Sequence, residues 1–213
     1  MKKKYSLRRF TLVELLIVVG IVAVLAGLVL PAVIGGIRQG HITQAKSDLA
    51  SIMMALKGVE GTYGKMVKSP YTFGATTLTA SNDVITLTGD AYNAFIAELT
   101  VPGNSKLTAR NINARKIKFL EPKADFDPTA AYDTATNQTK LWRDPWGNPY
   151  KILINVNGTD EIKVNSKTIA AKAAGYSFGP NGADDQGCNV NLGTCIQGDS
   201  SKHKLHDDIT TWD

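Results

Sequence analysis

The sequence predicts an α+β fold in which a long N-terminal α-helix carries a head built on a small antiparallel β-sheet. Residues 15 to 37 form an uncharged apolar run. Residues 42 to 63 follow it with apolar side chains at alternating spacings of three and four, the period of an amphipathic helix. Farther along, Tyr150, Ile152, Ile154 and Val156 recur at every second position, which is typical of a half-buried strand. We therefore expect one anchor helix and one head within the 213 residues.

The apolar run has the length of a membrane span. It contains 23 residues, from position 15 to position 37, and about 20 helical residues cross a hydrocarbon core of ~30 Å. A basic leader of residues 1 to 9 precedes it, with Lys2, Lys3, Lys4, Arg8 and Arg9. These five side chains equal the formal net charge of +5, so we expect no nucleic-acid partner. Basic residues ahead of a single span favour a cytoplasmic N-terminus and a head outside the cytoplasm.

The predicted helix has two parts that differ in polarity. Residues 10 to 37 are apolar on all sides, as in a membrane span or a filament core. Residues 38 to 64 are amphipathic, and their apolar stripe contains Ile42, Ala45, Leu49, Ile52, Leu56, Val59 and Tyr63. Pro31 removes one backbone hydrogen bond, so a kink or local melting is expected there. The helix is expected to end among the glycines at positions 58, 61 and 64.

Residues 65 to 141 are a variable region of the head with weaker local patterns. Thr76 to Thr88 is rich in Thr, Val and Ile and predicts a short hairpin. Asp90 to Leu99 predicts a short helix, and Lys116 to Leu120 predicts a strand. Asp125 to Thr139 is polar and rich in turn formers, which favours a loop.

Residues 142 to 213 are predicted to form the β-sheet head and a C-terminal loop rich in Asp and Asn. The alternating strand at 150 to 156 is followed by Asn157-Gly158, a strong hairpin turn signal. Further strands are expected at 160 to 165 and 173 to 178, and residues 179 to 213 read as loop.

The two cysteines, Cys188 and Cys195, lie in the part expected outside the cytoplasm. A disulfide between them suits an oxidising compartment. A zinc site with His203 and His206 is an alternative, although C-x6-C and H-x2-H differ from the usual ligand spacings. Two unpaired thiols are the remaining possibility.

The N-terminus carries a specific motif. Phe10-Thr11-Leu12-Val13-Glu14-Leu15-Leu16, after the basic leader and before the apolar run, resembles the processing site of type IV pilins and type II secretion pseudopilins. The resemblance implies the pilin fold, cleavage of Arg9-Phe10 by a prepilin peptidase and N-methylation of Phe10. This chain has Arg9 where the family has Gly. The alternative is an ordinary secretory signal cleaved after Val24-Leu25-Ala26, but Glu14 lies within the apolar core that such a signal needs.

Glu14 is a candidate assembly residue. A carboxylate at the edge of an apolar helix must be solvated, reach the headgroups or find a partner. Cleavage before Phe10 would create an amine four residues away, a rise of about 6 Å along the helix, so a displaced neighbour could bring its own amine to the carboxylate. The resemblance assigns this role to Glu14. Taken alone, the residues also allow a headgroup-level Glu.

A second match lies in the head. Trp142-Arg143-Asp144-Pro145-Trp146-Gly147-Asn148-Pro149-Tyr150 is similar to the D-P-W-G-N-P-Y stretch of the type II secretion major pseudopilins, the protein G family of that pathway. Tyr176 to Gly182 resembles their Y-S-x-G-x-D-G turn, and Asp207-Asp208-Ile209 with Trp212 resembles their closing D-D-I-x-x-W. With the helix, these segments cover about half of the chain, whereas residues 66 to 141 are longer than the family's usual connection.

The resemblance also implies a calcium site in the last loop. The ligands carried over are the Phe178 carbonyl, Asn181 and Asp207 or Asp208, because calcium takes six to eight oxygen atoms. Asn181 stands where the family has Asp, and Asp184 and Asp185 could compensate for the missing charge. The alternative is that these residues are turn formers and solvated acids.

Three function classes follow. The resemblance implies a structural subunit of a type II secretion pseudopilus, a periplasmic homopolymer that contacts prepilin peptidase, other pseudopilins and the inner-membrane assembly platform. A type IV pilus or competence pilin, acting in adhesion, motility or DNA uptake, is the alternative. An enzyme is not expected, because His41, His203 and His206 belong to no catalytic or metal-protease motif.

Overall fold

The computed structural model describes residues 11–67, 72–73, 76–81, 83–87, 89–101, 113–127, 142–164, 167–182 and 208–212. The chain divides into two compact units, residues 1 to 40 and residues 41 to 213. The helix α1, Leu12–Tyr63, begins in the first unit and ends in the second. A long N-terminal helix and a small antiparallel sheet are both present, so the α+β prediction is confirmed.

Helix α1 is 52 residues long and agrees with the predicted bounds at both ends. It ends before Gly64, which has a φ of 75° and donates its N–H to the Glu60 carbonyl at 2.7 Å. Glycine adopts this left-handed conformation at no steric cost, which explains the stop. Of the kink or local melting expected at Pro31, the melting is wrong, because α1 continues through that position. One missing hydrogen bond does not end a helix whose other turns remain bonded.

The described residues of the second unit form a second helix and eight short strands. They are β1 Thr72–Phe73, β2 Thr76–Thr77, β3 Val84–Leu87, α2 Gly89–Thr100, β4 Lys151–Asn155, β5 Ile162–Val164, β6 Lys167–Ile169, β7 Ala173–Ser177 and β8 Ile209–Thr210. The main sheet has the order β3-β4-β7-β8, with every neighbouring pair antiparallel. Two further pairs, β1-β2 and β5-β6, form separate two-stranded ladders.

Several local predictions are confirmed by these elements. The short helix at Asp90 to Leu99 is α2, and the alternating strand at 150 to 156 is β4. The strands predicted at 160 to 165 and 173 to 178 are β5 and β7. In each case the local pattern and the tertiary environment favour the same conformation.

Four local predictions are wrong, and in each the chain finds a different partner. Thr76 to Thr88 turns back on itself only at the antiparallel bridge between Ser81 and Val84, whose N–H groups each bind the other's carbonyl at 2.9 and 3.0 Å. The two strands of this segment do not pair with each other, because β2 pairs with β1 and β3 pairs with β4. Asn157-Gly158 does not join paired strands, because β5 pairs with β6. Lys116 to Leu120 is no strand, since the N–H groups of Phe119 and Leu120 both bind the Leu99 carbonyl at the end of α2, at 2.9 and 3.0 Å. The C-terminal region predicted as loop contains β8.

The core of the second unit lies between α1 and the main sheet. From the predicted stripe, Ala45, Leu49, Ile52, Leu56 and Val59 are buried, whereas Ile42 and Tyr63 are half-buried. They share one hydrophobic cluster with residues of β3, α2 and β4. On the opposite face of β4, Leu153 joins a second cluster with Ile162, Ala174 and Tyr176. Strand β4 is therefore buried on both faces, whereas its alternating sequence pattern predicted that only one face would be buried.

A glycine in β7 allows the sheet to approach α1 closely. A Cβ at Gly175 would lie 3.0 Å from Ile152 Cδ1, 3.1 Å from Leu49 Cδ2 and 3.2 Å from Met53 Cε. Gly175→Ala is therefore expected to lower the free energy of unfolding by about 1–3 kcal/mol through overpacking. Thermal unfolding of the full chain in detergent measures it. Gly61→Ala is the control, because nothing lies within 4 Å of that helical position, and it should stabilise by about 1 kcal/mol. Equal melting temperatures for the two variants would contradict the close contact.

Candidate functional site

The first candidate site is the apolar surface of α1 between residues 12 and 37. Its large apolar side chains from Leu12 to Ile37 are between 48% and 79% exposed. An 18-residue window of α1 has a mean hydropathy of 3.0, so this helix is long and apolar enough to span a membrane. Soluble monomers rarely expose so continuous an apolar patch, and such patches mark surfaces that lipid or other protein can cover.

The N-terminus of α1 is closed by a capping box. The Thr11 N–H and hydroxyl both donate to Glu14 Oε2, at 2.9 and 2.8 Å. In return, the Glu14 N–H donates to the Thr11 hydroxyl oxygen at 3.2 Å. Thr11 is thus the N-cap and Glu14 the third helical residue, which satisfies backbone donors that have no partner within the helix. This role of Glu14 was not predicted, although Thr-x-x-Glu before an apolar run is the known signature of a capping box.

The capping box leaves Glu14 able to bind a further group. Both contacts from Thr11 end on Oε2, and an ionised carboxylate accepts about four hydrogen bonds over its two oxygens. A donor from elsewhere can therefore reach Oε1 while the cap stays intact. Arg9 and Phe10, the predicted processing site, lie outside the described residues.

The D-P-W-G-N-P segment folds into a turn around the Asp144 side chain. Asp144 Oδ1 accepts the N–H groups of Trp146 and Asn148 at 3.1 and 2.7 Å, and Oδ2 accepts the Ser177 hydroxyl at 2.6 Å. The Asp144 N–H closes the turn on the Asn148 carbonyl at 2.8 Å. Burial raises the pKa of Asp144 above its ordinary value, and the hydrogen bonds from Ser177 and from the turn oppose that rise.

Two motifs that are far apart in the sequence meet at this turn. The Ser177 hydroxyl bonds to Asp144 and also accepts the Gly179 N–H at 3.1 Å, so it connects the D-P-W-G-N-P turn to the end of β7. A Cβ at Gly182 would lie 3.4 Å from the Asn148 Oδ1 atom, which brings the second turn against the first. The sequence analysis matched the two segments separately and did not predict their contact.

The predicted calcium ligands fall partly within the described residues. Ser177 pairs with Ile209 in the β7-β8 ladder. Because the ladder is antiparallel, Phe178 and Asp208 are the next pair beyond it. The Asp208 side chain is fully buried, whereas Asn181 is exposed in a turn that the Gly182 N–H closes on the Gly179 carbonyl at 3.3 Å.

Two of the predicted ligands, Phe178 and Asp208, follow and precede the paired residues of β7 and β8. A buried carboxylate at Asp208 and a backbone carbonyl at Phe178 are ligand types that calcium prefers. Among the described residues no group of three or more His, Cys, Asp or Glu side chains could hold a metal ion. Asp207, Asp184, Asp185, Cys188, Cys195, His203 and His206 lie outside the described residues.

A polar anchor holds the second half of α1 to the head. Asp48 Oδ2 accepts the Lys123 ammonium at 2.5 Å and the Tyr150 hydroxyl at 2.7 Å. Lys123 also donates to the Arg143 carbonyl at 2.7 Å, and its Nζ lies 5.2 Å from the centre of the Trp142 ring. Burial, and then the charge of Asp48, raises the pKa of Tyr150 far above its ordinary value, so its hydroxyl stays protonated.

His41 and Trp142 have packing roles in the second unit. The His41 ring meets the Trp146 ring edge-on, with centroids 5.8 Å apart. The Trp142 ring is buried against Phe126 with centroids 6.0 Å apart. Both contacts are favourable aromatic geometries.

Comparison of the chain with protein-family models, with curated proteins and with the solved structures finds no match. The class of protein is defined by its structure alone: an α+β head whose N-terminal helix is long and apolar enough to span a membrane.

Proposed function

We propose that this chain is a type IV pilin-like filament subunit with the pilin fold, and that it serves as a structural subunit of a type II secretion pseudopilus. The observation that carries the proposal is the difference in side-chain exposure between the two parts of α1. In its first part every large apolar side chain between Leu12 and Ile37 is exposed, whereas the stripe from Ala45 to Val59 forms the core of the second unit. One part of such a helix can lie in the membrane or in a filament core, while the other part forms the core of the head. This arrangement suits a subunit that leaves the membrane to join a polymer.

The exposed apolar surface accounts for both states of such a subunit. Before assembly, lipid hydrocarbon would cover residues 12 to 37 in a single-pass inner-membrane protein with the head in the periplasm. After assembly, the same residues would pack against copies of themselves. The transfer exchanges one apolar environment for another, so the hydrophobic effect alone favours neither state. Polar contacts and close packing would then decide whether the polymer forms.

Glu14 supplies the polar contact in this proposal. Processing between Arg9 and Phe10 by a prepilin peptidase, with N-methylation of Phe10, would place an amine directly before the Thr11 cap. A carboxylate in hydrocarbon is costly unless it is paired. The amine of a neighbouring subunit could reach Oε1 while Oε2 keeps its two bonds from Thr11. Other pseudopilins and the assembly platform are the remaining partners of the proposal.

The processing step tests this proposal directly. N-terminal sequencing of the chain extracted from membranes is expected to begin at Phe10, because the leader and the F-T-L-V-E motif precede an apolar helix that must be retained. Electron microscopy of cells that overproduce the chain should then reveal filaments. A start after Ala26 would remove the anchor and overturn the proposal.

A type IV pilus or competence pilin is the alternative within the same class. It shares the N-terminal helix but does not require the second turn at residues 179 to 182 or the closing strand β8. The contact of that turn with Asn148, and the pairing of β8 with β7, favour the pseudopilin. A neighbouring set of genes for a secretin, an assembly ATPase and several small pseudopilins would support the same choice.

Calcium is proposed as the structural ion of the C-terminal region. The Phe178 carbonyl, Asn181 and Asp207 or Asp208 would hold it, and the ion would join the end of β7 to the start of β8. Because Asp208 is buried, an ion bound there would be shielded from solvent.

We expect millimolar calcium to raise the melting temperature of the full chain by about 3–8 °C relative to chelator, since the ion binds the folded state. Asp208→Asn should remove most of the shift. Asp125→Asn, at an exposed position, is the matched control and should retain it. Coincident melting curves with calcium and with chelator would end the calcium proposal.

A further inference from the structure

The segment between β4 and β5 contains an Asn-Gly pair in an unusual hydrogen-bonded arrangement. Asn157, Gly158 and Thr159 are all exposed. Gly158 has a φ of 88°, a conformation that a residue with a Cβ rarely adopts. The segment is held at its base because Asn155 Nδ2 donates to the Thr159 hydroxyl at 3.1 Å and to the Glu161 carbonyl at 2.6 Å. The backbone around Asn157 is therefore ordered although it is open to solvent.

Both ends of the Asn157 amide are bound. The side-chain oxygen Oδ1 accepts the Thr159 N–H and the Thr159 hydroxyl, each at 2.7 Å. The side-chain nitrogen Nδ2 donates to Asp83 Oδ2 at 3.0 Å. Two donors on a carbonyl oxygen polarise the carbonyl and stabilise negative charge that develops on it. This is the arrangement that oxyanion holes use for acyl transfer.

We propose that Asn157-Gly158 is a site of intramolecular covalent modification, in which the backbone nitrogen of Gly158 attacks the Asn157 side-chain carbonyl and converts Asn157 to aspartate or isoaspartate. Glycine suits the attacking position because no Cβ shields its backbone nitrogen. The only co-reactant is water. The inference does not depend on the proposed filament function.

The steps balance as follows. A solvent base removes the Gly158 N–H proton, and the nitrogen forms a bond to Asn157 Cγ while the carbonyl electron pair moves to Oδ1. The two donors from Thr159 stabilise this oxyanion. Collapse breaks the bond from Cγ to Nδ2, and Nδ2 leaves as ammonia with a proton from solvent. Water then opens the cyclic imide, at Cγ to give aspartate or at the backbone carbonyl carbon to give isoaspartate.

The reaction would change the contact between this segment and β3. The product carboxylate replaces an amide donor that lies 3.0 Å from Asp83 Oδ2, so attraction becomes repulsion. Asp83 has a φ of 63°, and its carbonyl accepts the Val156 N–H at 2.9 Å. A non-glycine residue keeps such a conformation only where its surroundings hold it. Modification therefore loosens the segment that leads into β3 and adds one negative charge to the head.

The chain contains a second Asn-Gly pair within the described residues that serves as an internal control. At Asn181-Gly182 the Gly182 N–H donates to the Gly179 carbonyl at 3.3 Å, which engages the nitrogen that would attack. Identical dipeptides in one molecule are thus held differently. In the unfolded chain the two pairs should react at similar rates, because nothing then orients either of them.

The test is a time course of the full chain in detergent at pH 8 and, in parallel, in concentrated urea. Peptide mass spectrometry follows the gain in mass when the amide becomes a carboxylate, and separates the aspartate and isoaspartate products. In the folded chain Asn157 is expected to convert about tenfold faster than Asn181, while urea should remove the difference. Thr159→Val should slow conversion at Asn157 by about tenfold through loss of one donor, and Thr159→Ser, which keeps the hydroxyl, should restore it.

Two outcomes would overturn the inference. Conversion of Asn157 in the folded chain at or below its rate in urea would show that the turn protects the amide. Equal rates for Thr159→Val and the unaltered chain would show that the hydroxyl does not stabilise the oxyanion. Gly158→Ala should give the slowest conversion of Asn157 both in the folded chain and in urea. The added Cβ shields the attacking nitrogen whether or not the chain is folded.

Discussion

Glu14→Gln is expected to leave the chain in the membrane and to reduce filament assembly by about tenfold or more. Gln at this position still accepts the Thr11 N–H and hydroxyl, so the capping box survives while the charge is lost. Removing one partner of a charge pair in an apolar environment costs several kcal/mol, and ~1.4 kcal/mol already changes an equilibrium tenfold. Cross-linking of sheared filaments, normalised to the membrane-extracted chain, measures the yield.

The matched control separates the two roles of Glu14. Thr11→Ala removes the hydroxyl of the cap and costs about 1 kcal/mol of helix stability, but it keeps the Glu14 carboxylate. We expect this variant to assemble far better than Glu14→Gln or Glu14→Leu. Normal yield from Glu14→Gln, together with poor yield from Thr11→Ala, would mean that Glu14 acts only as a cap.

The second large effect is expected at the anchor between α1 and the head. Lys123→Met keeps most of the apolar stem but removes the cation from Asp48, whose side chain is 15% exposed. Breaking a fully buried pair costs about 3–5 kcal/mol. Because the Lys123 side chain is 26% exposed, we expect a smaller loss in the free energy of unfolding, about 2–4 kcal/mol. Urea unfolding of the full chain in detergent, followed by Trp fluorescence, provides the measurement.

A surface pair of the same chemistry supplies the control for the anchor. Lys118 and Glu121 lie 2.7 Å apart with side chains 46% and 83% exposed, so Lys118→Met should cost at most about 1 kcal/mol. Adding Asp48→Asn to Lys123→Met should recover part of the loss, because the uncompensated charge is then removed as well. If the two lysine variants are equally stable, the anchor is not a desolvated network.

The sequence predicted the elements whose local pattern and tertiary environment agree. The bounds of α1 followed from an uncharged run, an amphipathic repeat and a terminal glycine at position 64, each of which acts within a few residues. Strand β4 was predicted from side-chain alternation, but the pattern showed only the face toward α1. The burial of Leu153 depends on the β5-β6 ladder, which only the folded chain brings to it.

The failures have a common physical cause in long-range pairing. Phe119 and Leu120 have residue types suited to a strand, yet their N–H groups bind a carbonyl at the end of α2. The backbone N–H groups of a short apolar segment bind the nearest available acceptor, and the strand propensity of its residues does not identify that acceptor. The candidate ligands Phe178 and Asp208 were named from a resemblance, whereas their placement opposite each other, just beyond the paired residues, depends on the register of β7 and β8. No local pattern contains that register.

The reciprocal bonds between Thr11 and Glu14 also determine what proteolysis can change. Both residues lie downstream of the Arg9-Phe10 bond, so the signal that starts the helix at Leu12 is encoded entirely in the part of the chain that remains after cleavage. Maturation would therefore alter the charge at the end of the subunit, from a basic leader to a single amine, without resetting where the helix begins. In the proposed filament subunit, the start of the helical axis would therefore be set at synthesis, and the peptidase would control only when that axis becomes able to polymerise.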